Sequence, residues 1–301
     1  MTEPDKPVVP SEPPAPVAPL SAPVAPPPEP APPVDPVADA QRRTRWAQIA
    51  GPGQLHAAVL GLLLSPGRVR EQAVWDDECS TTPGGDVIRT EALAIGARER
   101  LPWIERFTRR IAQGPMAQRQ QLLKATRRLM AADGRTHALD RLRWLVIRHV
   151  LGDARALAQP AAADFDLEGL DTATARDIGR FSAFLSRIVP TPEIDLDVIS
   201  GAQASGERWW AAVMQPWPDV GATRKLPDTD ALVAALHQVQ SLPWMLRPVL
   251  VRRWVDAAVE LSPAGRLGEP AAEALRIAAT LLDCPLPPAL ASRFVECDGG
   301  G

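Results

Sequence analysis

Fifteen of the 33 prolines in this 301-residue chain fall within its first 40 residues. Each proline removes a backbone donor and holds φ near the extended value, so that stretch cannot close the ladders of a helix or a sheet. Residues 1–40 therefore read as a disordered, semi-rigid Pro/Ala-rich tether, with a ligand for a proline-binding groove as the functional alternative. Roughly 260 residues remain, and an apolar content of 46% is enough to give them a real core.

From Gln41 onward, runs of alternating β-branched residues are nearly missing and apolar residues recur at three- and four-residue spacings, which predicts an all-α body. A helix is expected over 54–64, stopped by Ser65-Pro66-Gly67, and another over 68–75, with 76–85 as a loop. Leu122, Leu123, Thr126, Leu129 and Met130 make one stripe, and Leu139, Leu142, Leu145, Val146 and Val150 make the next. Asp133-Gly134 turns the chain between them, giving an antiparallel helical hairpin. A helix is also expected over 172–188, whereas 194–210 carries no clean period. Trp209, Trp210 and Trp217 lie among prolines and read as the cap of a core edge, with a ligand-stacking platform as the sharper alternative.

Near the C-terminus the design repeats. Leu232, Val233, Leu236 and Val239 form a stripe. Ser241 is placed to cap a helix with Pro243 in its first turn and Leu246, Leu250, Trp254, Ala257 and Leu261 on its apolar face. Gly265 turns the chain into a last helix carrying Glu273, Leu275, Ile277, Ala278 and Leu282, ended by Pro285, Pro287 and Pro288. This gives a weak internal duplication and five segments: tether 1–40, first helical unit 41–153, connecting helices and loops 154–230, second helical unit 231–295 and flexible tail 296–301.

Thirty-three basic against 36 acidic residues give a formal charge of −3, which argues against a dedicated nucleic-acid binder. The balance is local, because 98–148 holds thirteen basic groups against Glu99, Glu105, Asp133 and Asp140. Thirty of the 33 basic residues are arginine, an excess that reads first as coding bias. The basic segment has three readings: solvated helix faces first, a docking patch for anionic lipid or an acidic partner second, nucleic acid last. Cys79, Cys284 and Cys297 are odd in number and widely spaced, which suits a reducing cytoplasm rather than a disulfide framework or a zinc knuckle. The longest apolar run, 57–64, is about half of what a bilayer requires.

The string ending Asp283-Cys284-Pro285-Leu286-Pro287-Pro288, the segment running from Gln118 to Arg135, and the segments 55–64, 69–72 and 100–102 resemble, in order, the helical C-terminal region of bacterial membrane-anchored zinc metallopeptidases of the HtpX/CAAX-protease type. The resemblance covers roughly residues 45–290. The Ala-Asp-Gly turn before an acid-bearing helix is also similar to TerB-like helical units, in which acids near such turns can form a cation site. The second turn has Ala264 where the first has Asp133. What the resemblance implies is a non-catalytic interaction or regulatory module of two TerB-like units, cytoplasmic or at the inner-membrane face. Its implied partner is a protein, a membrane-bound peptidase among the candidates. Two alternatives stand beside it: a C-terminal fragment of a split metallopeptidase, and a TerB-like cation-responsive stress protein.

A zincin needs two histidines one turn apart with a glutamate between them. His56, His137, His149 and His237 never occur at that spacing. His137 and His149 leave a metal pair open, but ordinary histidines are favoured. Asp76, Asp77 and Glu78 lack the alternating donors of a calcium loop and read as solvated acids, and they disfavour a thiolate at Cys79. No catalytic, cofactor or metal-binding residue and no cofactor are assigned.

Overall fold

The computed structural model describes residues 36–134, 136–152, 166–190, 199–220 and 224–297. Every regular element among them is helical. In chain order these are α1 (Pro36–Gln48), α2 (Pro52–Leu63), α3 (Val69–Cys79), α4 (Gly85–Ala94), α5 (Ala97–Ala112), α6 (Met116–Met130) and α7 (Ala138–Leu151). There follow α8 (Thr172–Leu185), α9 (Ile199–Met214), α10 (Thr229–Gln240), α11 (Leu246–Glu260), a 3-10 turn (Pro263–Gly265), α12 (Glu269–Leu281) and α13 (Pro288–Ala291). No helix among the described residues is long and apolar enough to cross a membrane.

Two helices carry the packing: α2, which is apolar over most of its circumference, and α12, whose few polar side chains pair with neighbouring helices. Residues 57–63 of α2 are buried on all sides, and α3, α4, α5 and α6 wrap around it. The alanine-rich α12 buries Ala271, Ala272, Ala274, Leu275, Ile277, Ala278, Ala279 and Leu281, and it touches α5, α7, α11 and α13. A helix as apolar as α2 is stable in water only inside such a jacket. α8 and α10 form a third, tightly apposed pair, joined to α11 through α9.

The striped hydrophobic periods map onto these elements. The pair α6 and α7 pack together across Gly134, and α11 and α12 pack across Gly265. Both glycines take the left-handed conformation, φ +72° and +66°, and each donates its N–H to the carbonyl three residues back. Only glycine adopts that backbone at no steric cost, so the repeated Gly is a repeated turn. α10, in contrast, packs chiefly against α8, a helix that composition assigns to the connecting segment. Asp171 starts α8 by accepting from the N–H groups of Ala173 and Thr174.

Several boundaries differ from the sequence reading. Helix α1 begins at Pro36, inside the segment read as tether: proline is compatible with a first turn, Asp39 pairs with Arg42, and buried Trp46 anchors the helix. The tract 1–35 lies outside the described residues, as do 191–198 and 298–301. α3 runs on to Cys79, so Asp76, Asp77 and Glu78 form its last turn rather than a loop. Trp75 and Cys79, one turn apart, share its buried face, and arginines of α4 and α6 neutralise the three acids. Of the ambiguous stretch 194–210, residues 199–210 belong to α9, and 194–198 lie outside the described residues. Ser241 ends α10 instead of starting α11, its hydroxyl donating to the Gln238 carbonyl, and α11 begins only at Leu246.

α9 approaches α8 so closely that a Cβ on Gly206 would lie 2.1 Å from the Ser186 carbonyl oxygen, whereas one on Gly53 in α2 would meet only ordinary contacts. Gly206→Ala should therefore cost about 1–3 kcal/mol in urea unfolding, and Gly53→Ala should be neutral or stabilising by up to about 1 kcal/mol.

Candidate functional site

The residues that sequence reasoning singles out for chemistry are mostly committed to structural partners. His137 and His149 sit at opposite ends of α7, about 18 Å apart at 1.5 Å per residue, which separates the supposed metal pair. His137 is the N-cap residue, its N–H facing the Asp140 carboxylate at 3.3 Å. His149 Nε2 meets Asp283 Oδ1 at 3.2 Å, and its Nδ1 faces the Gln240 amide. The Asp283 carboxyl is held below its ordinary range by His149. His56 lies half-buried on α2, where burial lowers its pKa. His237 lies in the exposed last turn of α10.

The acids are likewise occupied. Arg89 pairs with Asp76, and Arg128 bridges Asp77 and Glu78. At the Asp133-Gly134 turn, Arg68 places its guanidinium 2.7 Å from Asp133 and 3.4 Å from Glu71, so a side-chain cation stands beside the acid a metal would use. No group of three or more potential metal ligands occurs among the described residues. All three cysteines are free thiols. Burial, more than the neighbouring Glu78 and Asp76, pushes Cys79 up to about 12. Burial likewise pushes Cys284 to about 11 and Cys297 to about 12.

The tryptophans correct the platform alternative. Trp209, Trp210 and Trp217 are all buried, and each indole N–H donates to a carbonyl of another segment: Trp254, Gly179 and Leu167. They bind α9 and the turn after it to α8 and α11, and present no free ring face for a ligand.

Many arginines of 98–148 have partners within the fold, while Arg109, Arg127 and Arg128 lie on exposed helix faces, as the first of the three readings expects. Arg98, Arg100 and Arg110, all on α5, donate to the carbonyls of Ser292 and Arg293, of Leu62 and Leu64, and of Ala47 and Ile49. Those acceptors are the orphan carbonyls at the ends of α13, α2 and α1. Arg143 forms a bidentate pair with Glu273 of α12, at 2.6 and 2.9 Å. Arg148 lies over the Trp144 ring.

Beyond α12, residues 292–297 fold back along α5. Glu105, only 3% exposed, receives Arg276 at 2.8 Å and the Thr280 hydroxyl at 2.9 Å, and Arg276 also reaches Glu296 at 2.6 Å. The N–H of Val295 donates to the Arg98 carbonyl, and Arg106 donates to that of Cys297.

One cluster remains unengaged. At the corner where α10 passes into α11, Trp244 is 75% exposed, Met245 46% and Val249 50%, flanked by half-buried Pro243 and Pro248. Sequence reasoning passes over it. The signal was present, since Trp244 and Val249 fall off the Leu246, Leu250, Trp254 stripe and so must face away from the core.

The hydrogen bonds of Arg276 hold the Glu296 carboxyl below its ordinary range. Its stabilising contribution is full above that ordinary range and disappears as pH falls through the lowered value. Urea unfolding from pH 6 to pH 3 should therefore show stability falling below about pH 4, with a shallower fall in Glu296→Gln. Equal slopes in the two proteins would contradict this. Compared with known proteins, the chain matches no family model, no curated protein and no solved structure.

Proposed function

We propose that this chain is a non-catalytic interaction module built of paired helices, with two turn-linked units of TerB-like type. In this reading it acts as the C-terminal region of HtpX/CAAX-type peptidases is expected to act, by contact with a protein partner at the cytoplasmic face of a membrane. The observation that carries the reading is the Trp244, Met245 and Val249 corner. Six other tryptophans of this protein donate their indole N–H to a partner within the fold, whereas Trp244 offers its ring to solvent. Tryptophan and methionine are the residue types enriched at the centres of protein interfaces, where a few aromatic anchors supply most of the affinity.

Arg68 beside Asp133 favours contact over cation sensing, because a metal would have to displace an existing ion pair.

The test is site-specific photocrosslinking in the native host, with the crosslinker at Val249 and, as control, at exposed Val87 on α4. The expected product at Val249 is an adduct with a membrane-bound metallopeptidase bearing His-Glu-x-x-His, lost in Trp244→Ala. Equal, unspecific labelling at both positions would overturn the reading.

A further inference from the structure

The segment that follows α13 sits on α5 and α12 as a bound peptide sits on its receptor, and three chemically distinct contacts define the seat. Arg276 of α12 meets the Glu296 carboxylate at two points, 2.6 and 3.0 Å, and its guanidinium lies 4.7 Å from the centre of the Phe294 ring. The Val295 N–H donates to the Arg98 carbonyl, so a main-chain donor is read as well. Arg98 and Arg106, about two turns apart on α5, donate to the carbonyls of Ser292 and Arg293 and of Cys297, which fixes the direction of the segment along the helix.

The seat is built by the body of the protein. Glu105 holds Arg276 from the other side at 2.8 and 3.3 Å, both side chains are at most 5% exposed, and Thr280 donates to the same carboxylate. Arg276 is therefore oriented with or without the segment, its Nη1 directed at the place Glu296 fills. Arg276, and behind it Arg109 of α5, favour the ionised form of the Glu296 carboxyl. The segment itself is laid on the surface: the Glu296 side chain is 57% exposed, and Phe294, Val295 and Cys297 are each only half-buried. A preorganised basic seat under a lightly held segment selects by chemistry, for a carboxylate two residues after an aromatic ring on an open backbone.

We propose that this face of α5 and α12 is a recognition site for an acidic peptide of that pattern, carried by a partner protein and competing with residues 292–297 for the same contacts. The site is made of other residues than the Trp244 corner and does not rest on the reading of that corner. Because the chain's own segment is tethered, it competes at a high effective concentration, and a partner binds with its affinity reduced by the fraction of molecules in which the seat is open.

The test uses the full chain and a dye-labelled synthetic peptide copying residues 292–297, with Cys297→Ser in the peptide, followed by fluorescence anisotropy. Phe294→Ala with Glu296→Gln in the chain opens the seat and leaves the buried pair of Arg276 and Glu105 in place. That variant should bind the peptide at least about tenfold more tightly than the wild-type chain, and should bind a peptide carrying Glu296→Gln at least about tenfold more weakly than the parent peptide. Adding Arg98→Ala to the opened variant should weaken its peptide binding about threefold, because that guanidinium bonds to the segment. Glu296→Gln alone, the milder change, should fall between the wild-type chain and the opened variant, and supplies the comparison if the double substitution loses helical circular dichroism.

Equal affinity of the wild-type and opened chains, indifference to the peptide carboxylate, or no saturable binding to the opened chain at millimolar peptide would overturn the proposal. So would a wild-type dimer that the peptide dissociates in sedimentation velocity, because the seat would then belong to the segment of a second copy.

Discussion

The fold depends on arginine side chains that close the ends of helices belonging to other parts of the chain. Every helix leaves its last carbonyls without an intrahelical acceptor role, and a protein made of many short helices has many such ends to satisfy. Arg98, Arg100 and Arg110 close α13, α2 and α1 from α5. Arg119 reaches Gly114 after α5, Arg247 reaches Leu242 and Leu282 after α10 and α12, and Arg253 reaches Ala212 and Val213 at the end of α9. A guanidinium suits this task, since its rigid fork gives several donors without requiring deprotonation even where burial lowers its pKa, as at Arg100 and Arg253.

The same chemistry joins α12 to the N-terminal helices. Glu273 takes both donors of Arg143 from α7, and Arg276 answers Glu105 of α5 while gripping Glu296. Buried pairs of this kind add little net stability over apolar packing, but losing one partner leaves a charge stranded in the interior. They therefore specify where the otherwise featureless, alanine-rich α12 must sit. Apart from these ionic groups, Trp244 and Met245 before α11 and Val249 within it stand exposed at one corner.

The amino-acid sequence discloses whatever is local. The stripes at 122–130 and 139–150 give α6 and α7, and the two turn glycines mark the repeated turn, because periodicity and left-handed φ are set within a few residues. What it hides is non-local. The acids of 76–78 look like a loop until Arg89 and Arg128 arrive from α4 and α6. The clustered tryptophans look like an edge until their N–H groups find carbonyls on distant segments. The pairing of α8 with α10 is made across a stretch of chain that composition reads only as connecting helices and loops. The arginine excess, first attributed to coding bias, acquires a physical role only when the helix ends are placed. The exposed corner was half legible, in that Trp244 falls off the apolar stripe of Leu246, Leu250 and Trp254 that follows it.

The measurement that bears most directly on this account is an Arg-to-Lys comparison by urea unfolding. Arg100, Arg110 and Arg253, which cap helix ends, are changed together in one protein, and exposed Arg70, Arg127 and Arg252 in another. Charge is conserved in both, but lysine lacks the fork. The capping triple should lose at least about 2 kcal/mol and the exposed triple less than about 1 kcal/mol. Equal losses would mean that arginine is present for its charge or its codons, and that the helix ends are held by something else.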